Sequence, residues 1–260
     1  MSDLRARRLS KTERRDRILL EVRLKPHVRI AELAADFGVT PETVRRDLED
    51  LSQAGIVQRS YGGASAPSPG AYRDLDERRR ERVAERERIG RFAVSLVAPG
   101  ETLMIDAGST TIQLARFLAV AAVEVTVVTN CLRIAMIVGQ GGKARVILCP
   151  GTYLHAEDAV VGPETVEFIA RHHVDRCFLG AAGLSEAGVT EAVAGFDAVK
   201  RAMMRQGTAC HFLVDASKFG RTHLNLVARL ADMRELVTDR APEGALAARL
   251  RDTGVSVHCA

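Results

Sequence analysis

Residues 29–64 read RIAELAADFGVTPETVRRDLEDLSQAGIVQRSYGGA, and the front of this 260-residue chain follows from them. Ile30, Leu33, Ala34 and Phe37 recur at helical spacing and predict a short helix. Gly38 stands where a helix C-terminus takes a left-handed residue. Thr40, Pro41 and Glu42 then supply an N-cap, a ring-restricted first position and a carboxylate at the positive end of the dipole. The helix they open is predicted to run to about Ala54, with Val44, Leu48 and Leu51 inward and Gly55 as its stop. Two short helices around a glycine-containing turn predict a helix-turn-helix.

Such a motif lays the first turns of its second helix in the major groove of DNA. Thr40, Glu42, Thr43, Arg45 and Arg46 are the outward residues there. Either arginine can pair bidentately with guanine, and Thr43 can meet a thymine methyl or a phosphate. Asp47, Glu49 and Asp50 follow, and their repulsion from phosphates predicts that this half of the helix tilts away. Residues 56–64 predict a ribbon around a Gly-Gly turn, a wing bringing Arg59 and Tyr61 near the DNA backbone. The same residues also fit a plain three-helix packing unit with solvated arginines.

Upstream, Ser10 and Glu13 fit a capping box for a first helix with Ile18, Leu19 and Val22 inward, and Pro26 lies beyond its end. Residues 1–30 hold 10 Lys+Arg against 4 Asp+Glu. Residues 1–91 hold 21 against 16 and the remainder 16 against 17, so the net charge of +4 sits at the front. That asymmetry points to a nucleic-acid-binding piece on a nearly neutral body; a solvated basic arm is the other reading of charge alone.

Three zones are expected: a winged helix-turn-helix over 1–64, a linker and charged helix over 65–88, and an α/β domain over 89–260. The last zone alternates apolar runs with helical patterns, which predicts a mostly parallel sheet. Its expected strands are Thr102–Asp106, Glu124–Thr129, Ala144–Cys149, Arg176–Gly180, Ala209–Asp215, Leu236–Asp239 and Val255–His258. After the first strand comes Asp106-Ala107-Gly108-Ser109-Thr110-Thr111 and then a helix. Gly108 permits close approach, and Ser109, Thr110 and Thr111 set hydroxyls beside the unpaired amides of a helix N-terminus. That suits a phosphate, although Ser and Thr at such a position also serve as plain caps. Thr129, Asn130, Gly151, Asp215 and Lys218 recur at later strand ends, the edge where open α/β sheets bind ligands. Lys218 can add a point charge for a phosphate.

Composition excludes other classes. With 47% hydrophobic and 27% charged residues, the chain has material for a core and is not expected to be disordered. No run approaches 18 apolar residues, so no membrane helix is expected. The first residues lack the apolar core of a signal peptide, which predicts a cytoplasmic protein. Five scattered cysteines without a CxxC predict neither a disulfide framework nor a zinc site, and no metal or cofactor is expected.

The segment 30–64 resembles the N-terminal signature of the DeoR family of bacterial transcription regulators. That signature is V-S-x-x-T-[IV]-R-R-D-L, then L-x-x-x-G, then R-x-x-G-G-A, with Thr40 here in place of the usual Ser. Further on, D-A-G-S-T-T, V-T-N, F-L-G-x-x-G and D-x-S-K-F-G fall in family order between about Ile89 and Asp239. The resemblance implies a fold related to ribose-5-phosphate isomerase, with a phosphorylated sugar or polyol held by loops at strand ends. It implies that Asp106, Gly108, Ser109, Thr110 and Thr111 form the phosphate loop, flanked by Thr129 and Asn130. Asp215 and Lys218 would close the far side, and Glu191 and Lys200 match polar positions facing the ligand.

There are departures. Ser109 replaces a commoner Thr, Cys149-Pro150-Gly151 replaces a Gly-Gly pair, and Phe196 stands where many relatives have Glu. The expected protein is thus a regulator, most simply a repressor of sugar or polyol metabolism genes, acting on operator DNA as a homodimer or homotetramer. The alternative is a phosphosugar isomerase-like enzyme with an appended DNA-binding domain.

Overall fold

A capping box starts the first helix, α1 (Lys11–Leu24). The Ser10 hydroxyl accepts from the Glu13 amide at 3.2 Å, and the Glu13 carboxylate accepts from the Ser10 amide at 2.9 Å. This computed structural model describes residues 10–25, 27–53, 57–60, 62–65 and 75–260. The chain divides into two units, Met1–Ala71 and Tyr72–Ala260.

In the first unit, β1 (Val28–Arg29) leads into α2 (Ile30–Phe37), which ends at Gly38 with φ of 63°. The third helix, α3 (Pro41–Gln53), begins where expected, and the Thr40 hydroxyl accepts from the Thr43 amide at 3.3 Å. Ile18, Val22, Val28, Ile30, Leu33, Val44, Leu48 and Leu51 form its core. Truncating one of these leucines to Ala would cost about 2–5 kcal/mol. The wing is β2 (Gln58–Ser60) and β3 (Gly63–Ser65), with β3 central in a three-stranded sheet because it also pairs with β1. Gly63 is required there: a Cβ would lie 2.0 Å from the Val28 carbonyl oxygen. Tyr61 and Gly55 fall outside the described residues.

The second unit starts with α4 (Leu75–Arg80) and α5 (Val83–Ser95). The boundary expected at Ile89 therefore falls inside α5. Ile89 and Ala93 are buried, and Gly90 lets α5 meet α6 backbone to backbone, since a Cβ there would lie 2.8 Å from the Gln113 and Leu114 main chain. The charged helix expected after the linker is packed as well, because Arg78 and Arg86 are buried against carboxylates, and residues 66–74 of the linker fall outside the described residues.

Then follow β4 (Thr102–Ile105), α6 (Ser109–Ala121), β5 (Thr126–Thr129), α7 (Leu132–Gln140), β6 (Arg145–Leu148), the hairpin β7 (Thr152–Leu154) and β8 (Ala159–Val161), α8 (Pro163–Ala170) and β9 (Val174–Leu179). The chain continues through β10 (Gly183–Ser185), β11 (Gly188–Glu191), α9 (Phe196–Gln206), β12 (Gly207–Leu213), β13 (Asn225–Ala228), β14 (Glu235–Thr238), α10 (Gly244–Asp252) and β15 (Ser256–Cys259). Seven strands form one parallel sheet in the order β15-β14-β12-β9-β4-β5-β6, and they are the seven expected. A second, antiparallel sheet, β10-β11-β13, is an addition that the sequence reading did not anticipate.

The strand order positions the site. From β4 the chain moves outward through β5 and β6, then returns to β9 on the other side of β4 and continues outward through β12. The direction reverses between β4 and β9, and such a switch point opens a crevice at the carboxyl ends of the strands.

Candidate functional site

In the first unit, α3 presents Thr40, Glu42, Thr43 and Arg46 along a cleft of about 400 Å³ completed by Lys11, Arg14 and Asp47. Arg45 and Arg46 are exposed, as the DNA-reading expectation requires. In the acidic half of α3, Asp47 is held inward while Glu49 and Asp50 are exposed. Asp47 is buried and pairs with Arg14 and Arg15, and Asp50 pairs with Lys11 and Arg15. Part of the basic front end is therefore spent inside the unit. Arg45 pairs with Glu42 at 2.9 Å, and Arg59 pairs with Glu49, in both cases at the surface.

In the second unit, the expected strand-end residues converge on the switch point. Asp106 follows β4 and Gly180 follows β9; the Gly180 amide donates to Asp106 Oδ1 at 3.0 Å. Lys200 Nζ donates to Asp106 Oδ2 and, at 2.9 Å, to the Gly180 carbonyl, and lies 3.2 Å from Glu191 Oε1. All three charged side chains are buried. Burial pulls the Lys200 ammonium down to about 7 and pushes the Glu191 carboxyl up to about 8. Contact with Asp106 is what favours the charged form of Lys200. Asp106 is the carboxylate in closest contact with Lys200, and Glu191 lies beside it. Glu191 Oε2 is buried without a hydrogen-bond partner. Phe196, the departure from the family pattern, is buried with its ring centroid 6.0 Å from Lys200 Nζ.

Several of the expected site residues also make hydrogen bonds within the protein. Thr111 Oγ1 donates to the Asp106 carbonyl at 2.8 Å and the Gly108 carbonyl at 3.0 Å. Thr129 Oγ1 donates to the Ile105 carbonyl at 2.6 Å and accepts from the Cys131 amide. Asn130 bridges the Ala107 amide and the Val160 carbonyl. Asp215 accepts from Arg86 Nε at 3.0 Å and from the Ser217 amide and hydroxyl. Although burial opposes it, the Arg86 guanidinium, Ser217 and Lys218 hold its carboxyl below the usual range. Gly151 is exposed, with Thr165 and Val161 as its nearest neighbours.

What remains for a ligand is the start of α6. The amides of Ser109, Thr110 and Thr111 occupy the first turn, where no carbonyl one turn back can bond them. The Ser109 and Thr110 side chains are buried beside them. Lys218 lies in the Ala216–Lys218 turn after β12, half-buried, and burial pulls its ammonium down to about 8 against the pull of Asp215. Amides of one sign, a partial positive dipole and an ammonium on the same edge of the sheet suit an anion. Arg78, Arg86 and Glu157 are buried charges of this edge that the sequence reading missed. Arg78, Arg82 and Arg86 do recur at a spacing of four, but the run read as a solvated face. Among the described residues no group of His, Cys, Asp and Glu could hold a metal ion, and no helix is long and apolar enough to cross a membrane.

Comparison with known proteins gives a consistent picture. The DeoR-like helix-turn-helix domain matches residues 14–69, and the DeoR C-terminal sensor domain matches residues 81–240. The chain is 29% identical over 238 residues to the glycerol-3-phosphate regulon repressor of Escherichia coli, covering 90% of this chain and 93% of that protein. It is 32% identical over 237 residues to the HTH-type transcriptional repressor GlcR of Bacillus subtilis, covering 90% and 91%. Among solved structures, ribose-5-phosphate isomerase A of Methanocaldococcus jannaschii matches with 18% identity and a TM-score of 0.39, over 52% of this chain and 53% of that one.

Proposed function

This chain belongs to the DeoR family of transcriptional regulators, and we propose that it is a repressor whose hold on operator DNA is set by a phosphorylated sugar or polyol. The observation that carries the effector half of this reading is the first turn of α6 at the switch point. It presents three amides and two buried hydroxyls at the carboxyl edge of the parallel sheet, the edge that also carries Lys218 after β12. The DNA half rests on the exposed Arg45 and Arg46 at the start of α3. An effector changes operator affinity only by binding two DNA-affinity states unequally. A symmetric homodimer or homotetramer, matching paired half-sites, completes the proposal.

The geometry favours sensing over catalysis. Asp106 and Asp215 have both carboxylate oxygens occupied by protein donors, and Glu191, whose Oε2 has no partner, is buried. A general base needs a free lone pair facing its substrate. An aldose-ketose exchange assay on phosphosugars is expected to give no turnover.

The test is operator binding by fluorescence anisotropy, using duplex DNA from upstream of the protein's own gene. It is run with and without sugar and polyol phosphates, including glycerol 3-phosphate and glucose 6-phosphate. Thr110→Asp puts a negative charge where the phosphate is proposed to sit, and like charges in a partly desolvated loop repel strongly. The variant is expected to fold and bind operator but lose its effector response. A full response in Thr110→Asp would move the ligand elsewhere.

A further inference from the structure

Helices α4 and α5 carry two arginines into the charged edge of the sheet, and their contacts form a clamp. Arg86 Nε donates to Asp215 Oδ2 at 3.0 Å, while its Nη1 donates to the carbonyls of Arg78 and Glu81, the latter at 2.8 Å. One guanidinium thus ties the corner between α4 and α5 to the end of β12. Arg78 in turn pairs with Glu157, in the His155–Glu157 turn that follows β7. All four side chains are buried. The corner itself holds Arg82 at φ of 49°, a left-handed conformation disfavoured for an L side chain. Both arginines also lie close enough to act electrostatically on Lys218, and Arg78 on Lys200 and Glu191.

We propose that Arg78 and Arg86 are positioning residues of the anion site and make the segment from Leu75 to Ser95 its transducer. The proposal rests on reading the start of α6 as the effector site. Four cations, Arg78, Arg86, Lys200 and Lys218, share this edge with Asp106, Glu157, Asp215 and Glu191. An added phosphate competes with Asp215 and Glu157 for the same guanidinium and ammonium groups. The clamp weakens, the strained corner relaxes, and the helices joined in sequence to the helix-turn-helix change their packing. Effector and operator are then linked through one two-state element, and each alters the affinity of the other by the same factor.

The experiment is amide hydrogen exchange on the full-length protein with inorganic phosphate or glycerol 3-phosphate, against chloride at matched ionic strength, beside thermal melting. Either phosphate is expected to raise Tm and to speed exchange within residues 75–88. A Tm rise that Thr110→Asp abolishes, with exchange there unchanged or slower, would overturn the transducer and leave the anion site standing. No Tm rise with either probe would overturn the site and the transducer together. Arg86→Gln alone strands Asp215, so the informative variant is Arg86→Gln with Asp215→Asn, which neutralises both partners. In it, the exchange response is expected to vanish and the operator response to fall from the roughly 5–150-fold usual for such coupling to under about twofold. A double variant that responds like the parent would overturn the proposal.

Discussion

The recognition helix and the sheet edge use the same residue types in opposite settings. On α3 and between α3 and the wing strand β2, the pairs Arg45–Glu42 and Arg59–Glu49 sit at the surface. At the strand ends, Lys200–Asp106, Arg86–Asp215 and Arg78–Glu157 are buried. An exposed pair is worth about 0–1 kcal/mol, so either arginine can exchange its carboxylate for a DNA phosphate at little cost. A buried pair cannot exchange without stranding a charge. One unit therefore keeps its cations available, and the other keeps them committed until a ligand brings its own charge.

Removing one partner from each kind of pair tests this contrast. The largest effect is expected from Asp106→Ala, which removes the carboxylate in closest contact with buried Lys200 and leaves it only Glu191 and the Gly180 carbonyl; urea unfolding should show a loss of about 3–5 kcal/mol. A loss below 1 kcal/mol would mean that the edge is wet, and the contrast would fail. Arg46→Ala should cost about 1–3 kcal/mol in operator affinity with Tm unmoved, since the side chain lies outside the core. A fall in Tm as large as that of Asp106→Ala would put Arg46 in the packing instead.

A smaller effect concerns pH. Lys218 titrates at about 8, so its charge is present below that value and lost as pH rises through it. Effector affinity, measured calorimetrically, should therefore fall from pH 7 to pH 9, by up to about tenfold or 1.4 kcal/mol. Lys218→Arg should make the profile shallower, leaving the part that Glu191 and Lys200 carry. The smallest effect is expected at the surface: Glu49→Ala should change stability by less than about 1 kcal/mol, and operator affinity should rise slightly as Arg59 is released.

What could be read in advance follows the same division. Buried parallel strands are near-continuous apolar runs, so TLMI and TVVT announce themselves, and all seven strands of the main sheet were legible. The helix-turn-helix was legible because caps, the left-handed glycine and the apolar stripe are all local signals. The strands β10 and β11 were not, being three and four residues long with a glycine in each and held by pairing alone. In the site, the phosphate loop is one contiguous segment and could be read from its own chemistry. Glu191 and Lys200 came only through family resemblance. Arg78 and Arg86 were invisible because their partners lie 79 and 129 residues away, and a charged run looks solvated until those partners arrive.

The position of β4 also sets an order in time. Its two neighbours are β5, which follows closely, and β9, which begins only at Val174. Among the described residues, the core of the DNA-reading unit lies between Ile18 and Ala64. During synthesis from the N-terminus, that unit is complete before the central strand of the sensor has its second partner, and such late, non-local pairing folds slowly. A chain interrupted before Val174 would thus carry a finished DNA reader joined to a sheet whose middle strand has become an open apolar edge, the form through which fragments of this protein would aggregate.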